Sequence, residues 1–204
     1  MRTFVAISRL GVQLFGLVIA ASAAFAQVPQ SQTVAGAQAD RLAESIQFYR
    51  QMHSVLSHPR CVNCHPRDDT PKQGIDGHVH SPPISRGPAG MGPAGLPCKA
   101  CHHDANFDPA RVPGAPEWHL APLSMAWEGK SESELCRAMM DRTKNGNRNV
   151  NAIVKHLTED KLVAWGWNPG IDVYGKPREP VPVPKAEFDR IVAAWASSGA
   201  ACPD

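Results

Sequence analysis

Cys61-Val-Asn-Cys64-His65 and Cys98-Lys-Ala-Cys101-His102 repeat one pentapeptide pattern within a chain of 204 residues. Two thiols three positions apart, followed at once by an imidazole, form the attachment pattern of c-type haem. Each thiol can form a thioether to one vinyl group of the macrocycle, and the next residue offers a ring nitrogen to the iron. The pair therefore predicts two covalently attached haems c. Cys61, Cys64, Cys98 and Cys101 are the expected anchors, and His65 and His102 the proximal ligands. Repeated Cys-x-x-Cys pairs also build tetrahedral zinc cages, which is the competing reading.

The destination of the chain weighs on that choice. Residues 1–26 carry Arg2 and Arg9, an apolar run from position 10 to 21, and Ala24-Phe25-Ala26 before Gln27, the layout of a Sec-type signal peptide. A periplasmic protein is expected, since covalent haem attachment takes place outside the bacterial cytoplasmic membrane. The apolar run is short for a span, and no other segment has the eighteen or so apolar residues that a span needs, so no stable membrane span is expected after cleavage. Removing residues 1–26 takes away two of 21 basic residues and none of 19 acidic ones, leaving 178 residues with a formal charge of zero. Haem propionates would add negative charge, which argues against nucleic acid as a partner.

Outward from the motifs, punctuation organises the chain. Residues 27–36 read as a flexible leader, and 37–204 as one domain with a haem-binding part over 37–122 and a helical part over 123–204. Leu42, Ile46, Tyr49, Met52 and Leu56 recur at three- and four-residue steps, predicting an amphipathic helix over 37–57 that Pro59 ends. Residues 66–97 are rich in Gly and Pro and read as loop. Ser131 and Glu134 can form a capping box, predicting a helix over 132–143. Asn145-Gly146 is a turn, a further helix covers 150–164, and a last one runs from Pro184 to Gly199 with Phe188, Ile191, Val192 and Trp195 on one stripe. The expected fold is mainly α: short helices and long Pro/Gly-rich loops wrapped around two haems, with no substantial sheet. Nineteen prolines and sixteen glycines suit a protein whose macrocycles supply part of its core.

Six cysteines less four anchors leave Cys136 and Cys202, whose natural pairing in an oxidising compartment is a disulfide. Function turns on the sixth iron position, because two strong protein ligands suit electron transfer whereas an open iron binds small molecules. His80 and His119 are the distal candidates. His103, directly after a proximal ligand, and His58 are rivals; His53, His78 and His156 rank below them, and Met91 or Met125 can replace a histidine.

With these motifs placed, the chain resembles the small exported bacterial dihaem cytochromes often labelled isoquinoline 1-oxidoreductase subunits. The likeness rests on Cys61 to Pro66, Arg86-Gly87-Pro88, Cys98 to His102 with Asn106, Pro113-Gly114-Ala115-Pro116 with Trp118, Leu120-Ala121-Pro122, Met125-Ala126-Trp127-Glu128-Gly129, Leu135-Cys136-Arg137 and the stretch from Trp165 to Gly170. It covers much of the chain after Pro59. The resemblance implies haem-mediated transfer of single electrons between redox partner proteins, a periplasmic dehydrogenase among them, by a carrier rather than an enzyme. The alternatives are a dihaem peroxidase-like enzyme and a haem subunit of a dehydrogenase complex.

Overall fold

The computed structural model describes Thr3 and residues 30–204, with side chains from Val34 onward in the first helix. The signal peptide expected over 1–26 lies outside the described residues apart from Thr3. Among those described, the fold is mainly helical: α1 (Gln30–Leu56), α2 (Pro59–Val62), α3 (Glu132–Met140), α4 (Val150–Glu159), α5 (Lys161–Ala164) and α6 (Lys185–Ser197), with one antiparallel hairpin of β1 (Lys72–Gln73) and β2 (His78–Val79). No described helix is long and apolar enough to cross a membrane.

α1 begins seven residues before its expected start, because Gln30, Gln32 and Ala35 carry the helix into the stretch expected to be a flexible leader; residues 34–36 are exposed. The buried face is also rotated from the expected one. Leu42 is exposed and Ile46 half-buried, whereas Ser45, Tyr49, Met52, Val55 and Leu56 are buried. Ser45 tolerates burial because its hydroxyl donates to the Trp195 carbonyl at 3.1 Å and accepts from the Ala201 N–H at 2.9 Å. Both bonds tie α1 to the end of the chain. Pro59 does end α1, but it also occupies the first turn of α2, which carries Cys61.

One core joins Tyr49, Met52 and Leu56 of α1 to Leu135 and Met139 of α3, Ile153 and Leu157 of α4, and Phe188, Ile191 and Trp195 of α6. Each such side chain contributes about 1.5–3 kcal/mol by leaving water. The capping box at Ser131 forms, with Glu134 Oε2 accepting from the Ser131 N–H at 2.8 Å. α3 stops three residues early because Asp141 turns its carboxylate onto the N–H and hydroxyl of Thr143. The helix expected over 150–164 is broken at Asp160, whose carboxylate leaves α4 and caps α5 at the Leu162 N–H, 2.8 Å away.

Asn145 sets the angle between α3 and α4. It is buried, donates to the carbonyls of Met139 and Arg148 at 2.7 and 2.9 Å, and accepts from the Arg148 N–H at 2.7 Å. Asn145→Ala strands three backbone groups and is expected to cost about 1–3 kcal/mol, read as a lowered thermal midpoint.

Candidate functional site

Cys61, Cys64 and His65 of the first motif all line one apolar cleft. Val55 and Leu56 of α1, Ile153 and Leu157 of α4, and Phe188 of α6 wall it. Burial in these surroundings pushes the Cys61 thiol up to about 12 and the Cys64 thiol to about 11. The second motif stands nearer the surface: Cys98 and His102 are half-buried and Cys101 is exposed.

The two motif histidines are held in the same way. His65 Nδ1–H donates to the Met125 carbonyl at 2.7 Å, and its ring lies flat on Trp127, centroids 3.5 Å apart and planes 9° from parallel. His102 Nδ1–H donates to the Pro113 carbonyl at 2.7 Å, and its ring lies on Trp118, centroids 4.6 Å apart and planes at 7°. A carbonyl only accepts, so each Nδ1 carries the proton and each Nε2 keeps its lone pair. Burial keeps both rings neutral, pushing His65 down to about 3 and lowering His102. A neutral, oriented imidazole with a bare Nε2 is the form a metal needs.

The same test sorts the other histidines. His80 Nδ1–H donates to the Pro82 carbonyl at 2.9 Å, and His119 Nδ1–H to the Glu117 carbonyl. His156 Nδ1 meets the Asp160 carboxylate at 3.1 Å. All three rings are thus tied at Nδ1. His58 is the reverse: its Nδ1 accepts from the Arg60 N–H at 3.2 Å, so Nε2 carries the proton and the ring is committed to capping α2. His58 thus leaves the set of rival ligands. His78 is held at both nitrogens by Asp76 and Gln73 in the hairpin, and His103 is exposed beside His102.

Placement follows from how the motifs are laced together. The Leu120 N–H donates to the Gly90 carbonyl at 3.0 Å and the Ala121 N–H to the Cys64 carbonyl at 2.9 Å, so residues 120–121 bridge the loop before the second motif and the first motif itself. Gly90 must be glycine: its φ is +75°, and a Cβ there would meet the Leu120 carbonyl oxygen at 2.3 Å. Buried Arg86 fastens the junction, donating to the carbonyls of Ala121, Pro66 and Asp68. Trp118 and His119 consequently face different ways, Trp118 onto His102 and His119 into the cleft of His65.

The cleft also contains His156, which sequence ranked low and whose only local signal is the i,i+4 pairing with Asp160. His80 lies instead beside His102, ring centroids 5.9 Å apart. Met125 lines the cleft; the Met91 carbonyl accepts from the Cys98 N–H at 2.8 Å. Among the described residues no three or more His, Cys, Asp or Glu side chains are grouped to hold a metal ion. Comparison with protein-family models, with curated proteins and with solved structures finds no match to this chain.

Proposed function

We propose that this chain is an exported, periplasmic electron carrier that holds two haems c, one on each Cys-x-x-Cys-His motif. The observation that carries the reading is the matched construction of His65 and His102: Nδ1–H on a backbone carbonyl, ring on a tryptophan, Nε2 bare. A haem bound in this way supplies reversible one-electron exchange at its iron. The fold class supports the proposal, since short helices and long loops leave an apolar cleft beside the first motif.

The lining of the first cleft has the chemistry such a group would need, apolar walls with cationic side chains among them. Val55, Leu56, Ile153, Leu157 and Phe188 exclude water from its faces. Arg60 and Arg148 line the same cleft and can meet propionates, and the Trp127 Nε1–H is buried there without an acceptor in the protein. Cys61 and Cys64 anchor while His65 ligates. At the second site Cys98 and Cys101 anchor and His102 ligates, with Asn106 positioning the aromatic wall: it accepts from the Gly114 N–H at 3.1 Å and from the Trp165 Nε1–H at 3.0 Å, and Trp165 packs edge-on against Trp118.

The two sites differ in what they do to charge. Apolar walls and two guanidinium groups at the first site disfavour any gain of positive charge there, whereas solvent tempers that cost at the second. Potentiometric titration is expected to give two steps, the upper one belonging to the first motif. Two unequal centres in one small chain suit relay between redox partner proteins, a periplasmic dehydrogenase being the partner that the resemblance implies.

The direct test is the mass and the pyridine haemochrome of the purified exported protein. Two covalent haem increments per chain are expected, and none would overturn the reading. A second reading, a peroxidase-like enzyme, is favoured by one observation: His156 and Arg148 share the first cleft with His65. Rapid binding of carbon monoxide to the reduced first site would support it, and a slow or absent response supports the carrier.

A further inference from the structure

We propose that His80 is the second axial ligand of the iron on His102, so that the loop leaving the first motif completes the second site. The inference rests on the haem reading above and specifies one of its ligands. Its basis is the pairing of two neighbouring imidazoles that are both fixed at Nδ1 by a backbone carbonyl.

The ring centroids of His80 and His102 are 5.9 Å apart, with planes at 64°. Two metal–imidazole bonds of about 2.0–2.1 Å, each continued by a ring radius of roughly 1.1 Å, put centroids on the order of 6 Å apart when a metal lies between the rings. The observed separation matches that spacing. Neither Nδ1 is available to the other ring, because the Pro82 and Pro113 carbonyls take both N–H groups.

The hairpin exists in a form that holds His80 in place. β1 pairs with β2 in the register Lys72 to Val79 and Gln73 to His78, and the His80 N–H then donates to the Pro71 carbonyl at 2.9 Å. Asn63, inside the first motif, donates to the Gly74 carbonyl at 2.8 Å and ties the hairpin tip to α2. A two-residue ladder contributes little stability by itself, so its packing onto the motif matters for aiming the residue that follows. The rivals stand elsewhere: His119 faces the first cleft, and His103 is an exposed neighbour of His102. Supply is thus crossed, since His80 follows the first motif and serves the second, while His119 follows the second and faces the first.

The test uses the exported holoprotein and four single variants, His65→Ala, His102→Ala, His80→Ala and His103→Ala. Intact mass counts covalent haems, and low-temperature paramagnetic resonance counts low-spin irons. His80→Ala is expected to keep both haems and to lose the low-spin signal that His102→Ala loses, with added imidazole restoring it; His103→Ala keeps both signals. Retention of both signals in His80→Ala, or loss of the signal that His65→Ala loses, would overturn the proposal. Should His80→Ala fail to accumulate, His80→Met decides: a methionine ligand raises the potential of the second haem alone, and an unchanged potential overturns the assignment. An unaltered protein with no haem mass defeats the underlying reading, whereas two haems with an indifferent His80 defeat only this inference.

Discussion

Cys61→Ala/Cys64→Ala is expected to yield a protein with one covalent haem where the unaltered chain carries two, and with a far larger loss of stability than the matching change at the second motif. The cleft explains the asymmetry. Its walls are core side chains: Leu56, Ile153, Leu157 and Phe188 each belong to the cluster that joins α1, α4 and α6. Without a covalently retained macrocycle those walls face water or collapse, and collapse means moving α4 against α6. Removing a single buried Phe or Trp side chain from a core costs about 3–5 kcal/mol, and a macrocycle exposes more apolar wall than either when it leaves. Cys98→Ala/Cys101→Ala removes a group from a site where Cys101 is already exposed, so the core keeps its packing. Intact mass and thermal unfolding of the two double variants check this. Equal destabilisation would mean that the first cleft is not filled by the group, and unchanged mass in both would remove the haem reading altogether.

The residues proposed to anchor and ligate can be named from sequence because the proposed chemistry is local: two thiols and an imidazole within five positions need no knowledge of the fold. Capping at Ser131 was legible for the same reason, as was the apolar stripe of α6. The signals that failed are those decided by partners far along the chain. Ser45 is buried in place of Leu42 because the Trp195 carbonyl and the Ala201 N–H, about 150 residues away, satisfy its hydroxyl. His156 looks like any helix histidine until α4 is docked beside the first motif, and His58 looks like a ligand until the Arg60 N–H claims its Nδ1. Sequence shows which imidazoles exist. Only the fold shows which carbonyl accepts from Nδ1–H and so leaves Nε2 outside that bond. Asp160 is the intermediate case: a carboxylate before Lys161 is a readable cap, but the apolar periodicity of 150–164 conceals it until the His156 pairing and the bond to Leu162 are seen.

Cys136→Ala/Cys202→Ala is expected to cost about 4 kcal/mol, because the Cys136–Cys202 disulfide closes a sequence separation of 66 residues and on the chain-entropy model restricts the unfolded ensemble accordingly. For a domain of this size that lowers the thermal midpoint by about 8–16 °C. The folded state has its own hold on the same segment: the Trp195 Nε1–H donates to the Ala201 carbonyl at 3.0 Å, and the Ser45 hydroxyl receives the Ala201 N–H at 2.9 Å. Haem spectra of the disulfide-free protein should therefore match those of the unaltered one, since neither Cys136 nor Cys202 lines the cleft of the first motif. The redundancy makes a sharper expectation available. Ser45→Ala removes an anchor that acts on the same few residues as the disulfide, so the two changes should not add. With the bridge intact, the C-terminal segment stays in place after Ser45→Ala and leaves the Ala201 N–H without its acceptor, while the Trp195 carbonyl keeps the Ala200 N–H and the Ser198 hydroxyl, at about 1–3 kcal/mol. With the bridge gone, the segment can fray and solvate that N–H, and Ser45→Ala costs less. A double-mutant cycle by denaturant unfolding measures the difference, and strict additivity would show that the disulfide and the Ser45 bonds hold independent parts of the chain.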